Sequence, residues 1–217
     1  VVEYYDQLIA RSTEAERDVL RVEQLSYTFL LQSWDEGLLQ WFALAEEGNA
    51  NINNLLPGEI KRYLSNNYYD GETLVRIHSK IAEMERNAGH IRQAVGHWER
   101  VKELGEDNQR KDWEVDALIG LFNCKWMAEP RQALQQYLEP AREICEKQFP
   151  ERLALIYYEI AFDHRQMQDF NEAVKWYEKG IQTFQASPED DPLEGIMHND
   201  TGYAYLNLGR WGEAAKY

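Results

Sequence analysis

Cysteine, proline and long apolar runs are all scarce in this chain. Cys124 and Cys145 are its only thiols, too few for a disulfide framework and in keeping with the reducing interior of a cell. Six prolines in 217 residues leave long stretches free to be helical, since a proline inside a helix removes a donor and crowds the preceding turn. No apolar run approaches the roughly 18–20 residues that cross a bilayer as a helix. The opening Val1-Val2-Glu3-Tyr4-Tyr5-Asp6 lacks the basic segment of a secretory signal. Basic residues are outnumbered, 23 Lys and Arg against 38 Asp and Glu, for a net charge of −15. Such a surface repels phosphate backbones and anionic lipid, so the expected partners are neither nucleic acid nor membrane, and a basic protein suits it better. The expected location is cytoplasmic.

Catalytic signatures are missing as well. There is no glycine-rich phosphate loop, no HExxH, no GxSxG and no CxxC, so no catalytic residue, cofactor or metal is expected. His78, His90, His97, His164 and His198 are scattered over separate elements. His90 and His97, seven apart, can share a helical face but lack a third ligand. The cysteines read as small buried residues.

What the chain does have is helical periodicity. Over residues 153–184, Leu153, Ile156, Tyr157, Ile160 and Ala161 share one stripe. Phe170, Ala173, Val174, Tyr177, Ile181 and Phe184 share a second, at spacings of three and four. Gln168-Asp169 is a short polar break between them. The pattern returns at residues 202–214 as GYAYLNLGRWGEA. Ala94, Ala133, Ala173 and Ala214 stand 39, 40 and 41 residues apart, which makes an internal repeat the strongest signal present.

The second copy resembles a tetratricopeptide repeat. Gly202 takes the small midhelix position, Tyr205 the aromatic three on, Gly209 the turn, Trp211 the aromatic opening helix B and Ala214 the small residue after it. The first copy matches through Tyr157, Ala161, Phe170, Ala173 and Tyr177, with His164 and Gln168 in place of the usual aromatic and glycine. The resemblance covers residues 73–217, specifically in the last two units and loosely in the first two. In those, Glu85 and Cys124 replace the midhelix aromatic and Pro130 the aromatic opening helix B. The units exceed the family's common 34 residues, and Ser187-Pro188-Glu189-Asp190-Asp191-Pro192 reads as a loop insertion. The implied fold is all-α: a right-handed superhelical solenoid of antiparallel helix pairs over residues 71–217, about four units with the last truncated. A non-repeat helical segment, residues 1–70, precedes it. A solenoid stopping at Lys216-Tyr217 without a polar capping helix is expected to belong to a longer protein.

Before residue 70, Thr13 with Glu16 and Ser33 with Glu36 form candidate capping boxes. The second opens a helix over residues 34–47. Residues 48–51 read as a break, and Pro57 as the start of a shorter helix ending before Asn66. Beyond Asp70, helices are expected over residues 73–88 and 113–127, with a polar joint over 105–111 between repeats. Pro140 is expected to kink the helix that begins at Pro130.

The resemblance implies that helix A lines a concave groove. In the third unit this places Leu155, Tyr158, Phe162, Arg165 and Gln166 there, and in the fourth Ile196, Asn199, Tyr203, Leu206 and Asn207. The same spacing gives Val115, Leu118, Phe122, Lys125 and Trp126 in the second unit, and the polar set Arg76, Ser79, Glu83, Arg86 and Asn87 in the first. Aromatics beside amides suit extended peptides, and Tyr158, Phe162, Arg165, Asn199 and Tyr203 are the leading candidates. The function implied is a non-catalytic module binding a peptide segment or partner protein. The alternative is a sensor or autoinhibitory segment of a larger signalling or defence effector, since residues 77–101 look loosely like the first repeats of signal-transduction ATPases.

Overall fold

A computed structural model describes residues 2–31, 33–47, 49–61, 63–64, 69–184 and 192–217. Among these residues it is all-α, with no strand. The chain divides into two compact units, residues 1–97 and 98–217.

The first unit contains α1 (Val2–Arg11), α2 (Glu14–Leu31), α3 (Trp34–Glu46), α4 (Ala50–Lys61), α5 (Gly71–Asn87) and the start of α6 (Ile91–Asp107). Its starts follow local chemistry. The Glu16 carboxylate accepts from the Thr13 backbone N–H at 3.1 Å and from its hydroxyl at 2.7 Å. Ser33 Oγ accepts from the Glu36 N–H at 3.0 Å, and Asp70 Oδ1 from the Thr73 N–H at 2.8 Å. Each satisfies donors that a helix start leaves open.

The fourth helix corrects the sequence reading. Asn49 Oδ1 accepts from the N–H groups of Asn51 (2.9 Å) and Ile52 (3.3 Å). The supposed break at residues 48–51 is therefore a cap, and α4 starts at Ala50. Pro57 lies inside that helix, buried. The asparagine cap outweighs the proline because it satisfies donors at the true start. The expected end of this helix near Asn66 lies outside the described residues.

Trp41, Ile52, Leu56, Ile60, Ile77 and Ile81 form a solvent-free core, and Trp41 Nε1 donates to the Leu56 carbonyl at 3.1 Å. α5 thus shares its apolar face with the helices before it, although its sequence reads as the first repeat. Phe29 stacks on Tyr63 with ring centroids 4.3 Å apart. It also lies against Gly37, where a Cβ would fall 2.4 Å from the ring.

The second unit holds the rest of α6, then α7 (Lys111–Lys125), α8 (Pro130–Ala133), a π-helical turn (Leu134–Leu138), α9 (Glu139–Gln148) and a 3₁₀ turn (Pro150–Arg152). α10 (Leu153–Gln166), α11 (Phe170–Phe184), α12 (Pro192–Asn207) and α13 (Trp211–Ala214) complete it. Because α6 continues to Asp107 and α7 opens at Lys111, the expected joint over 105–111 shrinks to residues 108–110. The expected loop insertion over 187–192 lies outside the described residues up to 191, and Pro192 opens α12. Pro140 meets the π-helical turn directly before it. The wider i→i−5 register there relieves the crowding that the proline ring imposes on an α-helical turn.

Four helix ends share one geometry. Gly89 (φ 82°), Gln109 (φ 56°), Gln168 (φ 60°) and Gly209 (φ 71°) take the left-handed conformation. In each, the following N–H reaches back five residues: His90 to Glu85, Arg110 to Gly105, Asp169 to His164 and Arg210 to Tyr205, at 2.8–3.0 Å. This is the Schellman ending that closes orphan carbonyls. Gln168 therefore takes the glycine's conformation without being glycine.

Most stripe residues of 153–184 pack as their spacing predicts, while Leu153, Tyr157 and Phe170 are only half-buried. Ile156, Ile160, Ala161, Ala173 and Tyr177 are solvent-free, and Val174, Ile181 and Phe184 are buried. Small residues set close approaches elsewhere too. A Cβ on Gly120 would fall 2.2 Å from the Trp98 ring.

Candidate partner-binding groove

α10 and α12 carry the residues expected to line a groove. Leu155, Ile196, Tyr203 and Leu206 are large apolar side chains left 36%, 47%, 50% and 44% exposed. Asn199, Gln166 and Asn207 are exposed beside them, while Tyr158, Phe162 and Arg165 are half-buried. Tyr158 packs against Phe162 and Tyr177, with ring centroids 6.1 Å apart in each case. Asn207 is partly occupied, because its Nδ2 donates to the Tyr203 carbonyl at 2.8 Å.

Arg165 is held from three sides. Its Nη1 donates to Asp200 Oδ1 at 2.8 Å. Its guanidinium lies 4.9 Å from the centre of the Phe162 ring and 5.7 Å from that of Tyr203. Arg165 thus has its carboxylate partner within the chain itself, and Asp200 is buried with it. The same carboxylate accepts from the Tyr177 hydroxyl at 3.3 Å. Burial, and then the Asp200 charge, push that phenol well up. Arg165 consequently ties α10 to α12, the two helices that carry the expected groove residues. Beside it Asn199, Tyr203, Leu206, Trp211 and Tyr217 border an open hollow of about 500 Å³.

Three of the five residues expected from the second repeat fail to reach a surface. Val115, Leu118 and Phe122 are buried in one core cluster with Leu138, Ile156 and Ile160. The cause is that α7 is packed against α8, the π-helical turn and α9 together, so little of its circumference is free. Only Lys125 and Trp126 of that set emerge, Trp126 resting edge-on against Phe162 at 5.8 Å. In the first unit, Arg76, Glu83 and Asn87 are exposed, and Arg76 covers the Phe42 ring at 4.7 Å.

Sequence reasoning missed Asp163. It follows Ile156 and Ile160 at spacings of four and three, on the stripe meant for the core. It is solvent-free, with neither oxygen hydrogen-bonded. Burial alone pushes its carboxyl up from 3.8 to about 6. A charged residue on an apolar stripe is the signal that could have found it. No cluster of metal-binding groups occurs among the described residues, and Cys124 and Cys145 are both buried.

The sequence pattern of the tetratricopeptide repeat family matches residues 152–217. This segment is a tetratricopeptide repeat array. A search of curated protein sequences finds no match. Among solved structures, the chain is similar to BtubC (BKLC) from P. vanneervenii, with 18% identity and a TM-score of 0.68, covering 98% of this chain and 87% of that one. It is also similar to PH0952 from Pyrococcus horikoshii, a signal transduction ATPase with a tetratricopeptide repeat sensor, at 15% identity and TM-score 0.65. That match covers 98% of this chain and 37% of the other. The apo form of RapI matches at 12% identity and TM-score 0.62, with 100% and 94% covered. At these identities the likeness is one of fold, and folds of this kind serve as protein-interaction scaffolds.

In tetratricopeptide terms, α10 and α12 are helices A and α11 and α13 helices B. Ala173 and Tyr177 on the first helix B are solvent-free, as the family's packing positions require. Ala214 on the second is half-buried. No helix among the described residues is long and apolar enough to cross a membrane.

Proposed function

We propose that this chain is a non-catalytic interaction module that docks an extended segment of a partner protein along α10 and α12. The observation carrying the reading is the row of exposed apolar and amide side chains formed by Leu155, Ile196, Asn199, Tyr203 and Leu206 beside an open hollow. Large apolar groups left in water on neighbouring helices supply burial when covered, and amides pair with a peptide backbone. The net charge of −15 favours a segment rich in Lys or Arg. On this reading, residues 71–217 make up the repeat array and residues 1–70 a helical segment leading into it.

A second reading takes the chain as the sensor segment of a larger effector. It is supported by the similarity to PH0952, a signal transduction ATPase with a tetratricopeptide repeat sensor, in a match that spans nearly all of this chain and about a third of that one. Both readings use the same surface and differ in what the bound segment controls.

Peptides selected from a displayed random library against the full chain test the reading. The expected outcome is a basic, apolar-containing motif whose binding falls at least tenfold in Tyr203→Ala combined with Asn199→Ala, at unchanged melting temperature. Both residues are exposed, so their truncation leaves the core intact. Retained binding by that folded variant rules out this surface.

A further inference from the structure

Helices α5 and α6 meet through two histidines. Nδ1 of His78 lies 2.8 Å from Nδ1 of His97, with ring centroids 5.1 Å apart, and both residues are half-buried. An N···N contact this short holds one hydrogen. One ring must carry its proton on Nδ1 and donate, and the other must offer its Nδ1 lone pair. One added proton fits, on the outer nitrogen of the donor ring, and the contact survives. A second can enter only at the accepting Nδ1, where it would set N–H against N–H.

Among the described residues, the charges that act on His97 are Lys61 from α4 and Glu85 from α5. Glu85 Oε1 accepts from Lys61 Nζ at 2.9 Å, and its Oε2 lies 2.8 Å from His90 Nδ1. Burial pushes the Glu85 carboxyl up, but Lys61 and His90 more than offset that and leave it below the usual range. Burial, then the Lys61 charge, hold His97 below its usual basicity, and Glu85 opposes them only partly.

We propose that the His78–His97 pair is an acid-sensitive latch between α5 and α6, closed with up to one added proton and opened by the second. The sign follows from where protons bind. With the chain unfolded, both rings titrate near 6.5, so each gains about 30-fold in protonated over neutral form by pH 5. The latched state cannot follow on one ring. Closure is therefore complete above about pH 7 and weakens as pH falls through 6.5, by about 30-fold at pH 5.

Ring ¹⁵N NMR of the full chain at pH 7.5 reads the tautomers directly. One of the two histidines is expected in the Nδ1–H form and the other in the Nε2–H form; two Nε2–H rings overturn the proposal. Hydrogen exchange of α5 and α6 amides, corrected for intrinsic rates, supplies the second readout. Between pH 8 and 5 the wild type should lose about 30-fold more protection than His97→Asn, whose amide keeps a polar atom near the Nδ1 position and does not titrate. Equal losses in both proteins overturn the proposal. Should His97→Asn fail to fold, the tautomer measurement on the wild type decides alone.

Discussion

Replacing Asp163 with asparagine removes a charge from a site that gives it no partner. The side chain is solvent-free and neither carboxylate oxygen accepts a hydrogen bond. Burial raises its carboxyl from 3.8 to about 6. Each unit corresponds to about 1.4 kcal/mol, so ionised Asp163 costs the folded state about 3 kcal/mol at pH 8. The sign is the reverse of an ordinary salt-bridged carboxylate. The penalty is complete above about pH 7, shrinks as pH falls through 6, and is gone below the unfolded value near 4. At pH 5 roughly half remains. Asparagine keeps the size and leaves its own amide buried without a partner, which offsets part of the gain at every pH. The pH dependence is therefore the diagnostic. Urea unfolding of both full chains should show Asp163→Asn gaining on the wild type by about 1–2 kcal/mol more at pH 8 than at pH 5. The histidine pair is present in both proteins and cancels in that difference. A difference constant across pH refutes the reasoning, because it would mean that Asp163 ionises as freely folded as unfolded.

Four further substitutions probe the packing. Gly120→Ala places a methyl 2.2 Å from the Trp98 ring and should cost about 1–3 kcal/mol in urea unfolding; an unchanged midpoint refutes that close approach. Gln168→Gly relieves a left-handed residue and should gain up to about 1 kcal/mol, whereas a loss would mean that the turn is held by the glutamine side chain. Ala173→Leu, at a solvent-free position, should cost about 1–3 kcal/mol. Ala214→Leu, half-buried, should cost less than about 1 kcal/mol in the same assay.

Much of the fold is legible because helix A and helix B each repeat one physical requirement: a large apolar stripe with a small residue where two helices cross. That is why Ile156, Ile160, Ala161, Ala173 and Tyr177 could be placed in the core from spacing alone. Helix starts were legible where a side chain caps at the expected distance, as at Thr13 and Ser33. Asn49 was misread because asparagine serves breaks and caps equally, and only the following geometry separates them. The exposure of the candidate groove was legible in α10 and α12, where apolar residues alternate with amides. It was not legible in α7, because spacing cannot tell how many neighbours surround a helix, and α7 has enough to bury both of its faces. Pairings across elements, such as Arg165 with Asp200 and His78 with His97, leave no mark in local sequence at all.

The proposed partner groove is tested most directly by photo-crosslinking. A benzophenone side chain placed at Tyr203, half-exposed on α12, should label a library-selected peptide. The same group at Lys175, exposed on α11, should not. Labelling from position 175 with none from 203 would contradict the account and put the binding surface on the helix B side.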